Sequence, residues 1–381
     1  MVLGGKLAQE QGNESGHSVV VRAMAAAKAG EWAMQDGCVV RDPSGHTAVL
    51  QRSKTRLLPR RQLFFTEFGL KWVVLNISMD TDSLQCSQVA TPKTAFLFTS
   101  TQIGDVFHSM HHAIPAADWF VRSGLAGGSF EDVVLIDQML FPWLNGRVPA
   151  SPLDLTGYSG PVWRGFHLLL LSLGFTQSDH EAAASLTRFR PHGCWCFSAV
   201  VGGATAFHPA QLHNKAMMQR FRERVSGSLF VLLTAPSPQQ RILFINRSLT
   251  RRVENYGEVS RSVVRSGAFR VMYVAMETLT LREQARLVAT SRVLAGVHGN
   301  GLGWTMMLPT SQHQCALLEV YPTGSRVHDY MDWSIINNVA YYALDMPASR
   351  ITANASGFRC KDVVMDLQRF QTALDNVVAH L

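Results

Sequence analysis

Two short runs in this 381-residue chain hold the residue types that handle anions. The first is Asn246-Arg-Ser-Leu-Thr-Arg-Arg-Val-Glu-Asn-Tyr-Gly-Glu258, with Arg247, Arg251 and Arg252 close together. A guanidinium suits a diphosphate because its planar fork donates two hydrogen bonds at once and stays charged. The pattern predicts Arg247 on the diphosphate, helped by one of Arg251 and Arg252 while the other is solvated. The second is Arg292-Val-Leu-Ala-Gly-Val-His-Gly-Asn-Gly-Leu302. It reads as a buried strand, Val293 to Val297, a tight turn, His298-Gly299-Asn300-Gly301, and a helix start. Gly299 and Gly301 allow positive φ and close backbone approach, and Asn300 and Gly301 bring N–H groups to a helix N-terminus. Downstream, Glu319 stands near the C-terminal end of the apolar strand Ala316–Pro322, where a carboxylate can accept both hydroxyls of a ribose. Each has a plainer reading: an arginine-rich surface turn, a histidine that locks its turn through the backbone, and a carboxylate at a surface strand end.

Proton transfer needs a different kind of residue. Gln102-Ile-Gly-Asp-Val-Phe-His-Ser109 follows the strand Ala95–Thr99 and starts a helix at about Asp105. Asp105 and His108 fall on one helical face, and either can take a proton from an acceptor hydroxyl. His108, His111 and His112 also share a face, but no fourth zinc ligand is in view. Asp137 ends the strand Val133–Ile136, where it orients a hydroxyl or caps the next element. No Asp-x-Asp pair follows a strand as a metal–nucleotide clamp requires; the nearest, Asp80 and Asp82, precedes the first full domain. The expectation is chemistry without metal or cofactor, with arginine and a helix dipole balancing a leaving diphosphate.

These residues need rigid elements to hold them. Hydrophobic residues make up 47% of the chain and charged ones 17%, enough for large cores and too apolar for general disorder. From Thr94 onward strands alternate with helical patterns, which argues for α/β architecture with parallel sheets. Expected strands are Ala95–Thr99, Val133–Ile136, Cys196–Val201, Ser228–Thr234, Ile242–Asn246, Arg270–Ala275, Leu317–Val320 and Ala340–Leu344. Expected helices are Gly165–Leu173, the basic Asn214–Val225 and a final amphipathic one, Asp362–Leu381, folding back across the junction. Residues 1–35 read as a poorly ordered lead, and residues 1–93 as that lead plus a small N-terminal element with strand-like Phe64–Ile77. Residues 94–226 then form one Rossmann-like domain and 227–381 a second. The basic run at residues 52–61 reads as a solvated face.

The net charge of +7 suits an anionic partner, but it is spread out and lacks the basic stripe with aromatics that nucleic acid requires. Six scattered cysteines show no C-x-x-C pair, and their even number permits disulfides in an oxidising lumen. Asn-x-Ser sequons start at Asn13, Asn76, Asn246 and Asn354. Residues 1–30 hold no apolar run fit for a signal peptide, and Phe166–Phe175 is too short to span a bilayer.

The order Glu283-Gln284, Gly296-Val-His298-Gly299-Asn300-Gly301-Leu302, Met306-Met-Leu-Pro309 and Leu317-Leu-Glu319-Val-Tyr-Pro322 resembles glycosyltransferase family 61. That family includes protein O-linked N-acetylglucosaminyltransferases and β-1,2-xylosyltransferases, and the form His-Gly-Asn-Gly-Leu is similar to its fungal branch. The resemblance implies a GT-B plan, two Rossmann-like domains facing a cleft, and an inverting transferase with a UDP-sugar donor and a glycoprotein or glycan acceptor. It implies a site in the Golgi or endoplasmic reticulum lumen, with membrane association through an N-terminal anchor. The family pattern Asn-x-Gly-His-x-x-His-Asp is matched here only by Gly104 and His108; Asp105 replaces a histidine and Ser109 replaces the aspartate. A catalytically silent nucleotide- or glycan-binding protein of the same fold is the rival reading. A Rossmann oxidoreductase is disfavoured by the lack of G-x-G-x-x-G after an early strand.

Overall fold

The computed structural model describes residues 22–23, 25, 31–41, 47–52, 57–59, 63–66, 69–74, 86–88, 94–98, 106–125, 133–137, 193–203, 215–229, 231, 240–248, 251–310, 314–322, 326, 328–351 and 361–381. The fold is α/β, in two compact units, Met1–His208 and Pro209–Leu381.

In the first unit the strands are β1 Glu31–Arg41, β2 Thr47–Arg52, β3 Leu57–Pro59, β4 Leu63–Thr66, β5 Gly69–Val74, β6 Ser87–Gln88, β7 Thr94–Phe98, β8 Val133–Asp137 and β9 Gly193–Gly203, with helix α1 Val106–Arg122 between β7 and β8. The sheet runs β3-β2-β1-β9-β7-β8, and β6 also pairs with β9. The expected parallel character holds for β6, β9, β7 and β8. β1, β2 and β3 add an antiparallel meander to the same sheet. Glu31–Gln35 therefore belong to a strand, not to a disordered lead, because Ala33 and Met34 bury themselves as β1 pairs along β9. β4 and β5 form the small separate sheet expected around Phe64. α1 packs on this core: Trp119 donates through Nε1 to the Gly202 carbonyl at 3.1 Å, and Phe120 meets Phe96 edge to face. Disulfides Cys38–Cys196 and Cys86–Cys194 cross-link β1, the residue before β6, and β9. The expected helix Gly165–Leu173 lies outside the described residues.

The second unit starts with α2, Lys215–Ser228, and continues with β10 Arg241–Asn246, α3 Tyr256–Ser262, β11 Arg265–Ser266, β12 Phe269–Ala275, a 3₁₀ turn Met276–Thr278, α4 Leu281–Ala289, β13 Val293–Val297, a 3₁₀ helix Asn300–Met307, β14 Ala316–Pro322, α5 Asp329–Ile336, β15 Ala340–Met346, β16 Ala348–Ile351, β17 Lys361–Val363 and α6 Leu367–Ala379. The main sheet runs β11-β12-β10-β13-β14-β15, and all its strands are parallel except edge strand β11. Its strands alternate between two buried faces. Ile242 and Phe244, with Val293, Ala295, Val297, Leu318 and Val320, join Val259 of α3 and Phe370, Leu374 and Val377 of α6 in one core. Leu243, Ile245, Leu294 and Leu317 fill the other side, where the 3₁₀ helix Asn300–Met307 packs with α4 and α5.

Two expected boundaries shift. The strand foreseen at Ser228–Thr234 begins instead as the end of α2, whose buried Met217, Met218, Phe221 and Val225 keep a helical period. Leu229 and Val231 donate back to Val225 and Ser226, closing that helix. The last helix starts later than Asp362, because Lys361–Val363 form β17 against β16. Asp366 then caps α6, accepting from the Arg369 amide at 3.0 Å. α6 lies on its own unit's core through Phe370, Leu374 and Val377.

Candidate functional site

From β10 the chain passes to β12 on one side; from β13 it passes to β14 on the other. The C-terminal ends of β10 and β13 thus flank the point where the winding direction reverses, where open α/β sheets bind ligands. Arg247 follows β10 and His298 follows β13, so both stand at this point.

Gly299 joins the two runs. A Cβ placed on it would overlap the Arg247 guanidinium, lying 2.8 Å from Cζ, and would come 3.4 Å from Cζ of Arg251. Both arginines therefore converge on one stretch of backbone. Of the two reasons expected for this glycine, close approach applies and positive φ does not: its φ is 161°, an extended value open to any residue, and the space for Arg247 is what excludes a side chain. Gly301 is likewise a packing position, with Ile245 Cδ1 3.1 Å from the Cβ it lacks. Left-handed backbone occurs instead at Arg251, φ +55°, at a cost of about 1–2 kcal/mol for a side chain of this kind.

The arginine loop is held by the end of the chain. Arg252 donates to Asp362 through its backbone amide at 2.8 Å, Nε at 3.1 Å and Nη2 at 2.8 Å. Val363 accepts from Glu254 and donates to the Arg252 carbonyl. Asn255 and Met365 exchange a pair of hydrogen bonds at 2.8 and 2.9 Å. Arg252, left open between ligand and solvent by the sequence, is an anchor, and Arg251 is the one delivered to Gly299. On the near side, Ser248 donates to Glu277 through its amide at 2.9 Å and also through its hydroxyl. Burial pushes the Glu277 carboxyl up, but the Ser248 bonds and the charge of Arg247 outweigh it and hold the group below its usual range.

Beyond Gly299 the expected helix is a 3₁₀ helix, opened by Asn300 and Gly301, with Leu302 donating to Gly299 O at 2.8 Å. Its position is set by α4. Trp304 Nε1 donates to Gln284 Oε1 at 2.7 Å, and Gln284 Nε2 donates to Met276 O and Leu279 O at 2.9 and 3.0 Å. Gln284 is buried, so this clamp is structural.

His298 is buried, donates its amide to Val320 O at 2.9 Å, and stacks on Tyr321. Its Nδ1 lies 2.5 Å from Glu319 Oε1. Glu319 Oε2 accepts from the Tyr341 hydroxyl at 2.9 Å, and Tyr321 and Tyr341 oxygens are 3.1 Å apart. The expectation that Glu319 holds a ribose is corrected. The residue is 0% exposed and both oxygens are engaged inside the protein. Glu319 faces the same side of the sheet as His298, which explains why it meets the histidine and not solvent. A carboxylate only accepts, so the proton between them sits on Nδ1, and Nε2 is an acceptor in the neutral ring or a donor in the imidazolium. Burial, and then the negative charge of Glu319, push both tyrosine hydroxyls above their usual range, so they remain neutral donors.

His108 lies in the first turn of α1. Asp105 and the side chains of His108, His111, His112 and Asp137 lie outside the described residues, so the geometry brings together Arg247, Arg251, His298, Gly299, Asn300 and Gly301, with Glu319 behind His298. Sequence reasoning missed Asn255, Gln284, Tyr341 and Asp362. Gln284 stood in the quoted motif but carried no signal of its role, and Asp362 lies 110 residues from its partner with no local pattern to mark it.

The family model described as Glycosyltransferase 61 matches residues 106–315, more than half of the 381 residues. The chain belongs to glycosyltransferase family 61. Family 61 is a family of glycosyltransferases, and its members are typically enzymes of the secretory pathway. Among the described residues of this family 61 chain, no helix is long and apolar enough to cross a membrane. No curated protein matches the chain. Among solved structures, the metal-soaked Flv1 flavodiiron core from Synechocystis sp. PCC6803 is similar over 58% of this chain and 50% of its own, at 11% identity and a TM-score of 0.25. The chain thus spans half the length of that structure, and likeness at this level carries no argument.

Proposed function

We propose that this family 61 member is an inverting, metal-independent glycosyltransferase. It moves a sugar, N-acetylglucosamine or xylose, from a UDP-sugar to a hydroxyl of a protein or glycan. The observation that carries this reading is the convergence of Arg247 and Arg251 on Gly299 at the reversal point of a parallel sheet. Two guanidiniums and the first amides of a 3₁₀ helix suit a diphosphate better than a neutral ligand.

In this mechanism the acceptor oxygen attacks the anomeric carbon as its bond to the diphosphate oxygen breaks. The bonding electrons leave with UDP, whose new charge faces Arg247 and Arg251. The acceptor proton passes to Asp105 or His108. His298, oriented by Glu319, meets a phosphate or the sugar through Nε2. The arrangement belongs to a GT-B plan in a Golgi or endoplasmic reticulum enzyme anchored to the membrane.

Ser109, where the family has an aspartate, favours a second reading, a silent protein that binds nucleotide without turnover. Release of free UDP across a panel of UDP-sugars and acceptors separates the two. The transferase releases UDP with one donor at least, while the silent protein binds UDP and releases none.

A further inference from the structure

We propose that the second unit carries another anion site, at the opposite edge of its sheet, that takes a phosphate- or sulfate-type oxyanion on Arg222. A cavity of about 360 Å³ is lined there by Lys215, Gln219, Arg222 and Glu223 of α2, by Thr310, and by Asn337 and Asn338 at the end of α5. Thr310 precedes β14 and Asn338 precedes β15, so the cavity lies where strands begin, whereas Arg247 and His298 lie where they end. It is therefore not part of the site proposed for the donor.

Arg222 is only 9% exposed. Its Nη1 donates to Thr310 Oγ1 at 3.0 Å, which fixes the guanidinium in the cavity wall. Nε and Nη2 are buried and have no hydrogen-bond partner among the described residues. Those two N–H groups share one edge of the plane, the edge that grips two oxygens of one anion. A buried cation without such a partner is unfavourable, and a few acceptors inside the protein are the usual remedy. The available ones fall short. Burial pushes the Cys315 thiol up to about 12, so it is uncharged at neutral pH. Glu223 is exposed and accepts from Gln219 at 2.9 Å. Burial lowers the Arg222 pKa in spite of both. Near the end of α5 the carbonyls of Trp333, Ser334 and Ile335 are taken by the amides of Asn337, Val339 and Asn338. Lys215, the first residue of α2, adds a second positive charge at an exposed rim. Two cations, Arg222 and Lys215, and one exposed carboxylate, Glu223, whose Oε1 is taken by Gln219, line the space, and this positive balance suits an oxyanion.

The test is thermal unfolding of the full chain carrying Arg247→Ala, titrated with inorganic phosphate, so that the other edge of the sheet does not contribute. Phosphate is expected to raise the melting temperature. Lys215→Ala should move half-saturation several-fold higher, and Arg222→Met should abolish the response while leaving the phosphate-free protein at least as stable, because an unpaired buried charge has gone. Should Arg222→Met fail to fold, Asn338→Gly, which suits a φ of +58°, joins Lys215→Ala as the probe of the rim. Glucose 6-phosphate run in parallel separates a free oxyanion from one carried on a sugar: tighter half-saturation assigns the sugar-borne form, and equal or weaker half-saturation the free ion. No phosphate response in the Arg247→Ala protein, or one unchanged by the rim and Arg222 substitutions, overturns the proposal. Loss of UDP binding in Arg247→Ala with this response intact leaves both sites standing, so the two readings fail separately.

Discussion

Arginine lines both edges of the second unit's sheet, and each edge holds it in its own way. Where the strands end, Arg247 and Arg251 come from a loop and converge on the backbone of Gly299. Where the strands begin, Arg222 comes from a helix and is fixed by packing and Thr310. A loop can bring two guanidiniums and backbone amides to one point, which matches the several oxygens of a diphosphate. A helix side chain offers a single fork in a set place, which matches one oxyanion. Arg252 adds a third use within the same loop, since its fork is spent on Asp362 to keep Arg251 in place.

Substitutions can break this contrast. Turnover of the proposed transferase should show the widest effect, at the base proposed for the first unit. His108→Ala, or Asp105→Asn if that residue is the base, should lower turnover by roughly 10²–10⁴-fold. UDP affinity should stay as it was, read by calorimetry beside steady-state kinetics; full turnover in both variants and the double variant would remove them from the mechanism. Next comes Arg247→Ala, expected to weaken UDP binding by about 1.5–3 kcal/mol, with Arg247→Lys recovering part because the fork is lost. Unchanged UDP affinity in Arg247→Ala would dismiss this arginine from the site.

Asp362→Ala removes the anchor without touching the ligand. It should cost about 1–3 kcal/mol in unfolding free energy and lower UDP affinity less than Arg247→Ala does. A loss of affinity equal to that of Arg247→Ala would mean that Asp362 or Arg252 acts on the ligand itself. The smallest effect is expected from Tyr341→Phe, about 0.5–1.5 kcal/mol in denaturant unfolding. With one donor to Glu319 gone, turnover should fall modestly while the Michaelis constant for donor stays near its original value. Turnover equal to the parent's would confine Tyr341 to packing.

Much of the fold was readable because strong local signals and the tertiary structure agree. Val293–Val297, an apolar run bounded by glycine, is the strand its residues suggest. Ile242–Asn246 and Arg270–Ala275 are strands for the same reason. Where the sequence misled, long-range packing decided. Ser228 and Leu229 look extended by composition, but α2 runs on to bury Val225. Lys361–Val363 look like a helix start, but they pair as a strand and carry Asp362 to Arg252. The site was legible as residue types and not as roles. Arginine, histidine and glycine suggested an anion, yet nothing nearby in the chain revealed that Glu319 faces inward or that Arg252 is an anchor.

The clasp between the arginine loop and residues 362–365 has a consequence for biosynthesis. During translation the strand ends at Asn246 and Val297 emerge first, and the glycine turn can form around them. The loop at 251–255 gains its partners only when Asp362 and Met365, 110 residues behind Arg252 and Asn255, leave the ribosome. Contacts so distant in sequence form late and slowly. A nascent chain stalled before that point would carry the turn but not a fixed Arg251, so the loop settles only once synthesis has passed Met365.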